Sequence, residues 1–256
     1  MEILGLDIGG SGIKGAPVDT QTGEMTSDRH RIRTPQPATP KRIAKAVEKV
    51  AAYFEWEGPV GCAFPARIKH GVARTASNID KSCVGYDIEQ GLSDRLGNPV
   101  FVVNDADAAG IAEMTHGAGR GRNGLVLVLT VGTGIGSAMF MDGLLIPNTE
   151  FGHIRVRGRN GEKYAADSAR KRDGLSWKKW AKRFQAYLDH IEFLVGPELI
   201  ILGGGISNPN RASHYFDYLK AEAEMKTAEL GNRAGIVGAA MHAASRLRGG
   251  AGYPTG

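Results

Sequence analysis

Short apolar runs that flank glycine-rich turns are the most regular feature of the chain. Residues 3–6 are apolar, residues 7–12 form a turn with three glycines, and a strand-like pattern resumes over residues 13–18. Apolar runs on both sides of a glycine turn predict a β-hairpin. A similar order recurs in the second half of the chain, at residues 125–130, 131–136 and 137–141. The pattern therefore predicts two hairpins of similar layout.

Strand and helix patterns alternate around these hairpins. Thr39 and Pro40 predict the start of a helix, and its apolar positions recur at helical spacing up to Phe54. Other helices are predicted at residues 106–114, 177–193 and 215–225. Strands are predicted between Gly23 and Arg33 and at residues 60–64, 100–103 and 199–202, with a further hairpin around Gly71 within residues 68–78. Strands interleaved with helices indicate layered α/β domains.

Positive charge is concentrated in one part of the chain. The 256 residues hold 32 Lys/Arg and 27 Asp/Glu, a formal net charge of +5. Between Arg155 and Arg183, eleven basic residues face only Glu162, Asp167 and Asp173. Such a segment attracts polyanions, whether nucleic acid or a phosphate chain. A solvated helix face is the alternative interpretation, and both stay open at this point.

Cysteine usage and hydropathy exclude several classes of protein. Cys62 and Cys83 are the two cysteines of the sequence, too few for a disulfide framework or a zinc site. No apolar run approaches the ~18 residues of a membrane span, and the N-terminus lacks the basic region of a signal peptide. We therefore expect a cytoplasmic protein without a membrane partner.

The two glycine turns are candidate anion sites. Asp7 ends a buried strand, and the glycines after it let backbone N–H groups come close to an anion. Two such turns could face one another and hold one phosphate chain. Neither is a Walker loop, because no Gly-Lys-Ser/Thr follows, and neither is a Rossmann turn, because a strand rather than a helix comes next. A plain hairpin turn is the alternative for each.

Five motifs follow one another along nearly the whole chain: Asp7-Ile8-Gly9-Gly10-Ser11-Gly12, Asn104-Asp105, residues 130–136, Glu150-Phe151-Gly152-His153 and Leu202-Gly203-Gly204-Gly205. Together they resemble the ROK family of sugar kinases and repressors. Within that family, residues 34–40 and 78–82 look like those of polyphosphate glucokinases and polyphosphate/ATP glucomannokinases. The resemblance implies an α/β, actin-like ATPase (ribonuclease H-like) fold with two domains flanking a cleft.

The resemblance also implies a division of the chain. The small domain is expected at residues 1–107 and the large domain at residues 108–234. A helix at about residues 235–248 is expected to pack back on the small domain, and residues 249–256 are expected to form a loose tail.

The resemblance assigns Asp105 as the general base that takes the proton of a sugar hydroxyl as its oxygen attacks phosphorus. The alternative is that Asp105 only caps the helix beginning at Ala106, and Asp107 is the competing carboxylate. The residues implied to bind the sugar are Asn78, Asn104, Glu150, His153 and Glu162. Those implied to bind phosphate are Gly9, Gly10, Ser11, Gly12, Lys14, Thr133 and Gly134.

Cofactors are implied in the same way. The turn of Gly203, Gly204 and Gly205 matches the adenosine side of the family site, so ATP binding is expected. Magnesium is expected to bridge the phosphates, with Asp7 as its protein carboxylate through water. Family kinases usually carry a cysteine-rich zinc motif, which this chain lacks around residues 162–166, so no zinc site is expected. A polyphosphate track is hypothesised on the basic segment at Arg170, Lys171 and Arg172.

The implied activity is that of a hexokinase-type phosphotransferase. It would transfer a phosphoryl group from inorganic polyphosphate, ATP or both to the 6-hydroxyl of glucose, with mannose as a second acceptor. The alternatives are a kinase for another hexose or an N-acetylated amino sugar, and a sugar-sensing ROK regulator. Such regulators carry an N-terminal helix-turn-helix, for which the residues before Asp7 leave no room, so no nucleic-acid partner is expected. A homodimer remains open.

Overall fold

The computed structural model describes residues 1–249, so the predicted tail lies outside the described residues apart from Gly249. The first elements, in chain order, are β1 (Glu2–Ile8), β2 (Ile13–Asp19), β3 (Glu24–Met25), β4 (His30–Ile32), α1 (Pro40–Tyr53), β5 (Val60–Phe64), β6 (Ile68–Lys69), β7 (Val72–Ala73), α2 (Ile88–Leu96), β8 (Val100–Asn104) and α3 (Asp105–His116).

The second half of the described chain contains seven further strands and five helices. In chain order these are β9 (Leu125–Val131), β10 (Ile135–Met141), β11 (Leu144–Ile146), β12 (Arg155–Val156), β13 (Arg159–Asn160), α4 (Gly161–Ala165), α5 (Asp167–Arg172), α6 (Trp177–Val195), β14 (Leu199–Gly203), α7 (Pro209–Ala212), β15 (Glu224–Thr227) and α8 (Ala234–Leu247).

The two halves repeat one sheet topology. The first sheet has the strand order β3-β2-β1-β5-β8, with β4 also paired to β2, and the second has the order β11-β10-β9-β14-β15. In each sheet a long antiparallel hairpin, β1–β2 or β9–β10, is extended by two parallel strands on its first member. The prediction of two similar hairpins is confirmed. Because β8 and β14 end at Asn104 and Gly203, the motif residues lie at the carboxyl ends of parallel strands, where such sheets bind ligands.

Helix α8 packs on the first sheet and on α3 at very short range. A Cβ atom at Gly61 of β5 would lie 1.9 Å from the carbonyl oxygen of Ala239, so no larger residue fits between strand and helix. A Cβ at Gly238 would lie 1.6 Å from the carbonyl oxygen of Ala108 in α3. The last helix thus returns to the N-terminal half. The division after residue 107 falls inside α3 and stays a prediction.

The helix predicted at residues 215–225 is wrong. The chain there forms a 3-10 turn at Phe216–Tyr218 and then the edge strand β15. Tyr215 is fully buried, and its hydroxyl donates to the carbonyl oxygen of Ile206 at 3.1 Å. Residues 224–227 pair in parallel with β14. These tertiary contacts outweigh the helix propensity of the local Ala, Glu and Lys residues.

Most other predicted elements are confirmed with small shifts at their ends. The strand predicted between Gly23 and Arg33 is two short strands, β3 and β4, and the hairpin around Gly71 is limited to β6 and β7. Helices α2, α4, α5 and α7 have no counterpart among the predictions. All four are short, and their apolar positions are too few to give a periodic signal.

Candidate active site

Two cavities meet in the cleft between the halves of the molecule. The first cleft cavity has a volume of about 410 Å³ and is lined by the turn after β9 together with polar residues from both halves. The second cleft cavity, about 210 Å³, extends from Asp7 and Lys14 to the start of α8. Asp105, Ala106, Thr130 and Gly204 line both cavities. A group bound in either cavity can therefore come close to the same carboxylate.

Asp105 is the first residue of α3, but the cap of that helix is Asn104. The Asn104 Oδ1 accepts from the backbone N–H groups of Ala106 and Asp107 at 2.9 and 3.0 Å, and its Nδ2 donates to the carbonyl oxygen of Ala66 at 3.0 Å. Asp105 accepts one bond, from the Ala106 N–H to Oδ1 at 2.9 Å. Capping does not require Asp105, and this residue lines both cleft cavities.

The surroundings of Asp105 favour its neutral form more than water does. Asp105 is exposed on its cleft side, while neighbouring protein atoms displace water from the rest of its carboxyl group. This desolvation raises the pKa of Asp105 to about 6, and the carboxylates of Asp7 and Glu150 add to the effect, while the Ala106 N–H opposes it. Such a group is ionised at neutral pH but binds a proton readily, as a general base must.

Asp107, the competing carboxylate, points elsewhere. It is 1% exposed, and its Oδ2 accepts from the backbone N–H of Asn148 at 2.8 Å. It lines neither cleft cavity but a separate cavity behind β8, together with His70 and Glu89. Desolvation raises its pKa to about 7. Its geometry is that of a buried structural carboxyl group.

The structure brings all the residues predicted to bind the sugar to the wall of the first cleft cavity: Asn78, Asn104, Glu150, His153 and Glu162. His153 Nε2 lies 3.5 Å from Glu150 Oε2, and His153 Nδ1 lies 3.9 Å from Glu162 Oε1. A 3-10 turn at Phe151–His153 follows Glu150 and presents both Glu150 and His153. The Ser137 hydroxyl fixes this turn, because it accepts from the Phe151 N–H at 3.0 Å and donates to the Thr149 carbonyl at 2.8 Å.

The second glycine turn lies between these predicted sugar residues and α5. Ser168 holds it, with its N–H donating to the Gly132 carbonyl at 3.1 Å and its hydroxyl to the Thr133 carbonyl at 2.6 Å. On the other side, a Cβ at Gly134 would lie 2.3 Å from Glu162 Oε2. Both Thr133 and Gly134 line the first cleft cavity. The carboxylate thus fills the space that a side chain at position 134 would need.

The first glycine turn is adjacent to the cleft rather than inside it. Gly9 closes the turn by donating to the Gly12 carbonyl at 3.0 Å. Gly10 packs against Asn78, where its Cβ would lie 3.2 Å from the Asn78 Cβ. The four predicted phosphate residues Gly9, Gly10, Ser11 and Gly12 line neither cleft cavity. The residues that flank them, Asp7 and Lys14, line the second one.

Asp7 and Lys14 form an ion pair inside the second cleft cavity. The Lys14 Nζ lies 2.9 Å from Asp7 Oδ2. A Cβ at Gly235, in the first turn of α8, would lie 3.0 Å from the Asp7 carboxyl carbon, so the helix start leaves room for this carboxylate. A magnesium ion that bridges phosphates needs few protein ligands and keeps several waters. One partly exposed carboxylate beside a water-accessible cavity fits that requirement.

The opposite wall of the second cleft cavity contains the predicted triglycine and residues that the sequence did not single out. Gly203 and Gly204 line this cavity, as do Gly231 and Asn232, but Gly205 does not. Gly204 has φ +75°, and a Cβ there would lie 2.7 Å from the Val131 backbone. The signal that could have indicated the 231–235 wall is Gly231 just before the last apolar helix together with Gly235 in its first turn.

Glu113 supports that wall from below. It is 1% exposed, and its carboxylate accepts from the backbone N–H groups of Ala118, Glu229 and Leu230 at 2.9 to 3.1 Å. Two of these donors belong to the loop that leads into Gly231 and Asn232. A glutamate among the apolar residues of a predicted helix is a sequence signal for holding a loop in this way. A buried carboxylate without hydrogen-bond partners would be costly, so it is expected to accept from nearby backbone N–H groups.

Four of the eleven cations of the basic segment form ion pairs with carboxylates of the same segment. Arg170 and Lys171 each lie 2.7 Å from a carboxylate oxygen of buried Asp167. Asp173 pairs with Arg172 at 2.8 Å and with Arg183 at 2.6 Å. The three residues of the hypothesised track therefore share their charge with two carboxylates.

Metal-binding clusters and membrane-spanning helices are both absent from residues 1–249. Nowhere in this range do three His, Cys, Asp or Glu side chains come together closely enough to hold a metal ion. None of the helices in the same range is both long and apolar enough to cross a membrane.

Two sheets of matching topology that share a cleft, with glycine turns and a strand-end carboxylate on its walls, define an actin-like ATPase fold. The chain belongs to the ROK family, whose model matches residues 3–172. A polyphosphate glucokinase from Mycobacterium tuberculosis (strain CDC 1551 / Oshkosh) is 48% identical over 239 residues, which are 93% of this chain and 89% of that protein.

Solved structures give the same result. The inorganic polyphosphate/ATP-glucomannokinase from Arthrobacter sp. strain KM is 49% identical, with a TM-score of 0.90 over 96% of this chain and 99% of the other. A ROK family glucokinase from Streptomyces griseus, solved in complex with glucose and AMPPNP, is 26% identical, with a TM-score of 0.77 over 96% of this chain and 100% of the other. The family and fold implied by the motifs are confirmed.

Proposed function

We propose that the protein transfers a phosphoryl group from inorganic polyphosphate or ATP to the 6-hydroxyl of glucose, and that mannose is a second acceptor. The observation that carries this proposal is the position of Asp105, which lines both cleft cavities. An acceptor in one cavity and a phosphate donor in the other would meet at that carboxylate. The names of the relatives at 48% and 49% identity support glucose, mannose and both donors.

Asp105 is the general base in this proposal. Its carboxylate takes the proton from the sugar hydroxyl while the hydroxyl oxygen forms a bond to the terminal phosphorus. The bond between that phosphorus and the bridging oxygen breaks, and the shortened donor leaves with the electron pair. Glu150, His153 and Glu162 would hold the other hydroxyls and fix the sugar orientation. Closure of the cleft would exclude water, which otherwise competes as acceptor.

The donor would lie along the second cleft cavity and the two glycine turns. Lys14, Thr133 and Gly134 are the proposed phosphate contacts at the cavity walls, and the Gly9–Gly12 turn lies beside them. Gly203, Gly204 and the adjacent Gly205 would face the adenosine end of ATP. Asp7 would hold magnesium through water, and the ion would supply charge neutralisation on the donor phosphates. A cytoplasmic location, a homodimer, and the absence of zinc, membrane and nucleic-acid partners remain predictions.

The test is a panel of acceptors against donors. Purified protein is incubated with glucose, mannose, N-acetylglucosamine or N-acetylmannosamine, each with ATP or long-chain polyphosphate, and sugar phosphate is measured. We expect product from glucose with both donors and little from the N-acetylated sugars. Transfer only to an amino sugar would support the alternative kinase. Tight glucose binding without transfer from any donor would support a regulator.

The base assignment has its own variant. Asp105→Asn keeps the size of the side chain and removes the proton acceptor, so kcat should fall at least about 100-fold. Glucose affinity by calorimetry should stay within about twofold, because the other hydroxyl contacts remain. Asp94→Asn, at an exposed position of α2, is the matched control and should behave as the wild type. Near-normal turnover by Asp105→Asn would overturn the assignment.

A further inference from the structure

We propose that Arg31 is a donor-binding residue selective for polyphosphate. It would contact the phosphate units of polyphosphate that have no counterpart in ATP. This inference rests on the proposed function and adds a direction to it. The polyphosphate chain would leave the second cleft cavity over the β4 edge of the first sheet, away from Gly203 and Gly204. ATP would instead extend toward those glycines.

A row of side chains crosses the first sheet toward that edge. Asp7 of β1 is the register partner of Lys14 in β2, and Lys14 is the register partner of Arg31 in β4. Direct partners in antiparallel strands project on the same face of the sheet. Asp7 and Lys14 line the second cleft cavity. Arg31 lies one strand further out, because the backbones of neighbouring strands are roughly 5 Å apart.

The guanidinium of Arg31 lies against the first glycine turn. Its Nη2 donates to the Ser11 carbonyl at 3.2 Å. A Cβ at Gly12 would lie 2.6 Å from the Arg31 Nε and 2.7 Å from its Nη2, so glycine is what allows the guanidinium to rest on this backbone. The bond to Ser11 uses one N–H of a group that carries several, so the guanidinium can still donate to another acceptor. A guanidinium held beside the first glycine turn is well placed for bidentate contact with phosphate oxygens.

The charges of this row are not balanced. The Lys14 ammonium is paired with Asp7, but Arg31 has no carboxylate within ion-pair distance in the described part of the chain. Arg42 adds a second cation nearby, because its Nη1 donates to the Gln36 carbonyl at 2.6 Å and the Gln36 amide lies 3.5 Å from the Gly10 carbonyl. By contrast, Arg170, Lys171 and Arg172 are all paired with carboxylates.

Polyphosphate and ATP differ in the groups that lie beyond the phosphates they share. ATP ends in a neutral nucleoside, which would lie toward Gly203 and Gly204 and away from Arg31. Polyphosphate continues with one negative charge for each unit, and unpaired arginines at the rim attract that charge. Loss of Arg31 should therefore weaken the two donors unequally, and the effect on polyphosphate should decrease as salt screens the charges.

The experiment compares Arg31→Gln and Arg31→Lys with the wild type, using long-chain polyphosphate, tripolyphosphate and ATP as donors and saturating glucose. For Arg31→Gln we expect the KM for long-chain polyphosphate to rise about tenfold, with a smaller rise for tripolyphosphate. The KM for ATP and kcat with either donor should stay within about twofold. Arg31→Lys, which keeps the charge but loses the planar fork, should give an intermediate KM.

Two control variants make the result specific. Arg95→Gln removes an exposed arginine of α2 that pairs with Glu48 of α1, and it should leave every KM unchanged. The double variant Lys171→Gln, Arg172→Gln tests the competing track on the basic segment. A Tm equal to that of the wild type, measured by circular dichroism, establishes that each variant is folded.

The outcomes separate the inference from the proposed function. If wild-type protein makes no sugar phosphate from polyphosphate, the proposed function is wrong for that donor, and the inference is wrong with it. If the wild type uses both donors and Arg31→Gln changes neither KM or both equally, the function stands and the inference is wrong. A larger effect on polyphosphate of the double variant at Lys171 and Arg172 than of Arg31→Gln would also overturn it.

Discussion

The backbone N–H of Asn148 donates to Oδ2 of the buried Asp107 at 2.8 Å, and this bond joins the helix of the proposed base to the loop that holds Glu150. The Asn148 side chain extends the link to the N-terminal half. Its Oδ1 accepts from the Ile68 N–H at 2.7 Å, and its Nδ2 donates to the Ile68 carbonyl at 2.8 Å. Asp105 and Glu150 each lie two residues from this link, so their spacing depends on it.

Asn148→Ala should therefore impair both stability and sugar binding. It removes two hydrogen bonds of about 1 kcal/mol each and places alanine at φ +60°, where it is strained. We expect a loss of about 2–3 kcal/mol of unfolding free energy and a rise of about tenfold in the glucose KM, with a smaller change in the KM for ATP. Urea unfolding and steady-state kinetics measure the two effects.

The outcome for Asn148→Asp separates positioning from folding. Aspartate keeps the acceptor toward the Ile68 N–H and loses the donor toward the Ile68 carbonyl. Its stability and glucose KM should both lie between those of the wild type and Asn148→Ala. Equal KM values for glucose in all three proteins would mean that the link does not position Glu150.

The rate should depend on pH through Asp105. Because its pKa is raised to about 6 by desolvation, the carboxylate is deprotonated and active above that pH and protonated below it. We expect kcat/KM for glucose to be constant near neutrality, half-maximal near pH 6 and to fall about tenfold for each further unit of acid. The measurement uses saturating ATP at constant ionic strength between pH 5 and 8, with circular dichroism as a check of folding. A flat profile down to pH 5 would exclude Asp105 as the titrating base.

Local sequence patterns were sufficient for much of the architecture. The hairpins at β1–β2 and β9–β10, the strands before Asn104 and Gly203, and helix α3 all have continuous apolar patterns with clear ends. The residues that the family resemblance implied for sugar binding also come together on one cavity wall, because their motifs end strands or turns that meet at the cleft. Local patterns alone did not identify these residues.

Local sequence patterns did not predict the contacts between residues far apart in the chain. Residues 224–227 form a strand because β14 offers a free edge, which local propensity cannot indicate. The pairing of Arg172 and Arg183 with one carboxylate, Asp173, depends on how α5 and α6 are arranged. The position of Arg31 opposite Lys14 likewise depends on the β2–β4 register. In each case the sequence shows the charges or the propensity, and the fold determines their partners.

Glu113 gives a prediction on donor binding. Glu113→Gln places an amide N–H₂ group near backbone N–H donors that the carboxylate now accepts, so at least one buried donor loses its partner. We expect a loss of about 2 kcal/mol of unfolding free energy. Because the affected loop leads into Asn232 on the second cleft cavity, the KM for ATP should rise more than the KM for glucose. Glu229→Gln, an exposed neighbour, is the control, and an unchanged KM for ATP in Glu113→Gln would contradict the proposed link.

Glu162 lies between His153, on the wall of the first cleft cavity, and the second glycine turn. Its removal should therefore affect both the sugar and the phosphate donor. Its Oε1 lies 3.9 Å from His153 Nδ1, and its Oε2 accepts from the Ile135 N–H at 3.4 Å, next to Gly134. Glu162→Gln keeps the volume but loses the carboxylate proposed to accept from a sugar hydroxyl, so the glucose KM should rise about tenfold. If the same side chain also shapes the second glycine turn, kcat should fall with ATP and with polyphosphate by a similar factor, because Thr133 and Gly134 are the proposed contacts for both donors. Glu222→Gln, an exposed substitution of the same kind, should change neither quantity. A Glu162→Gln enzyme with normal kcat and a raised glucose KM would limit this residue to sugar binding, and normal values of both would remove it from the site.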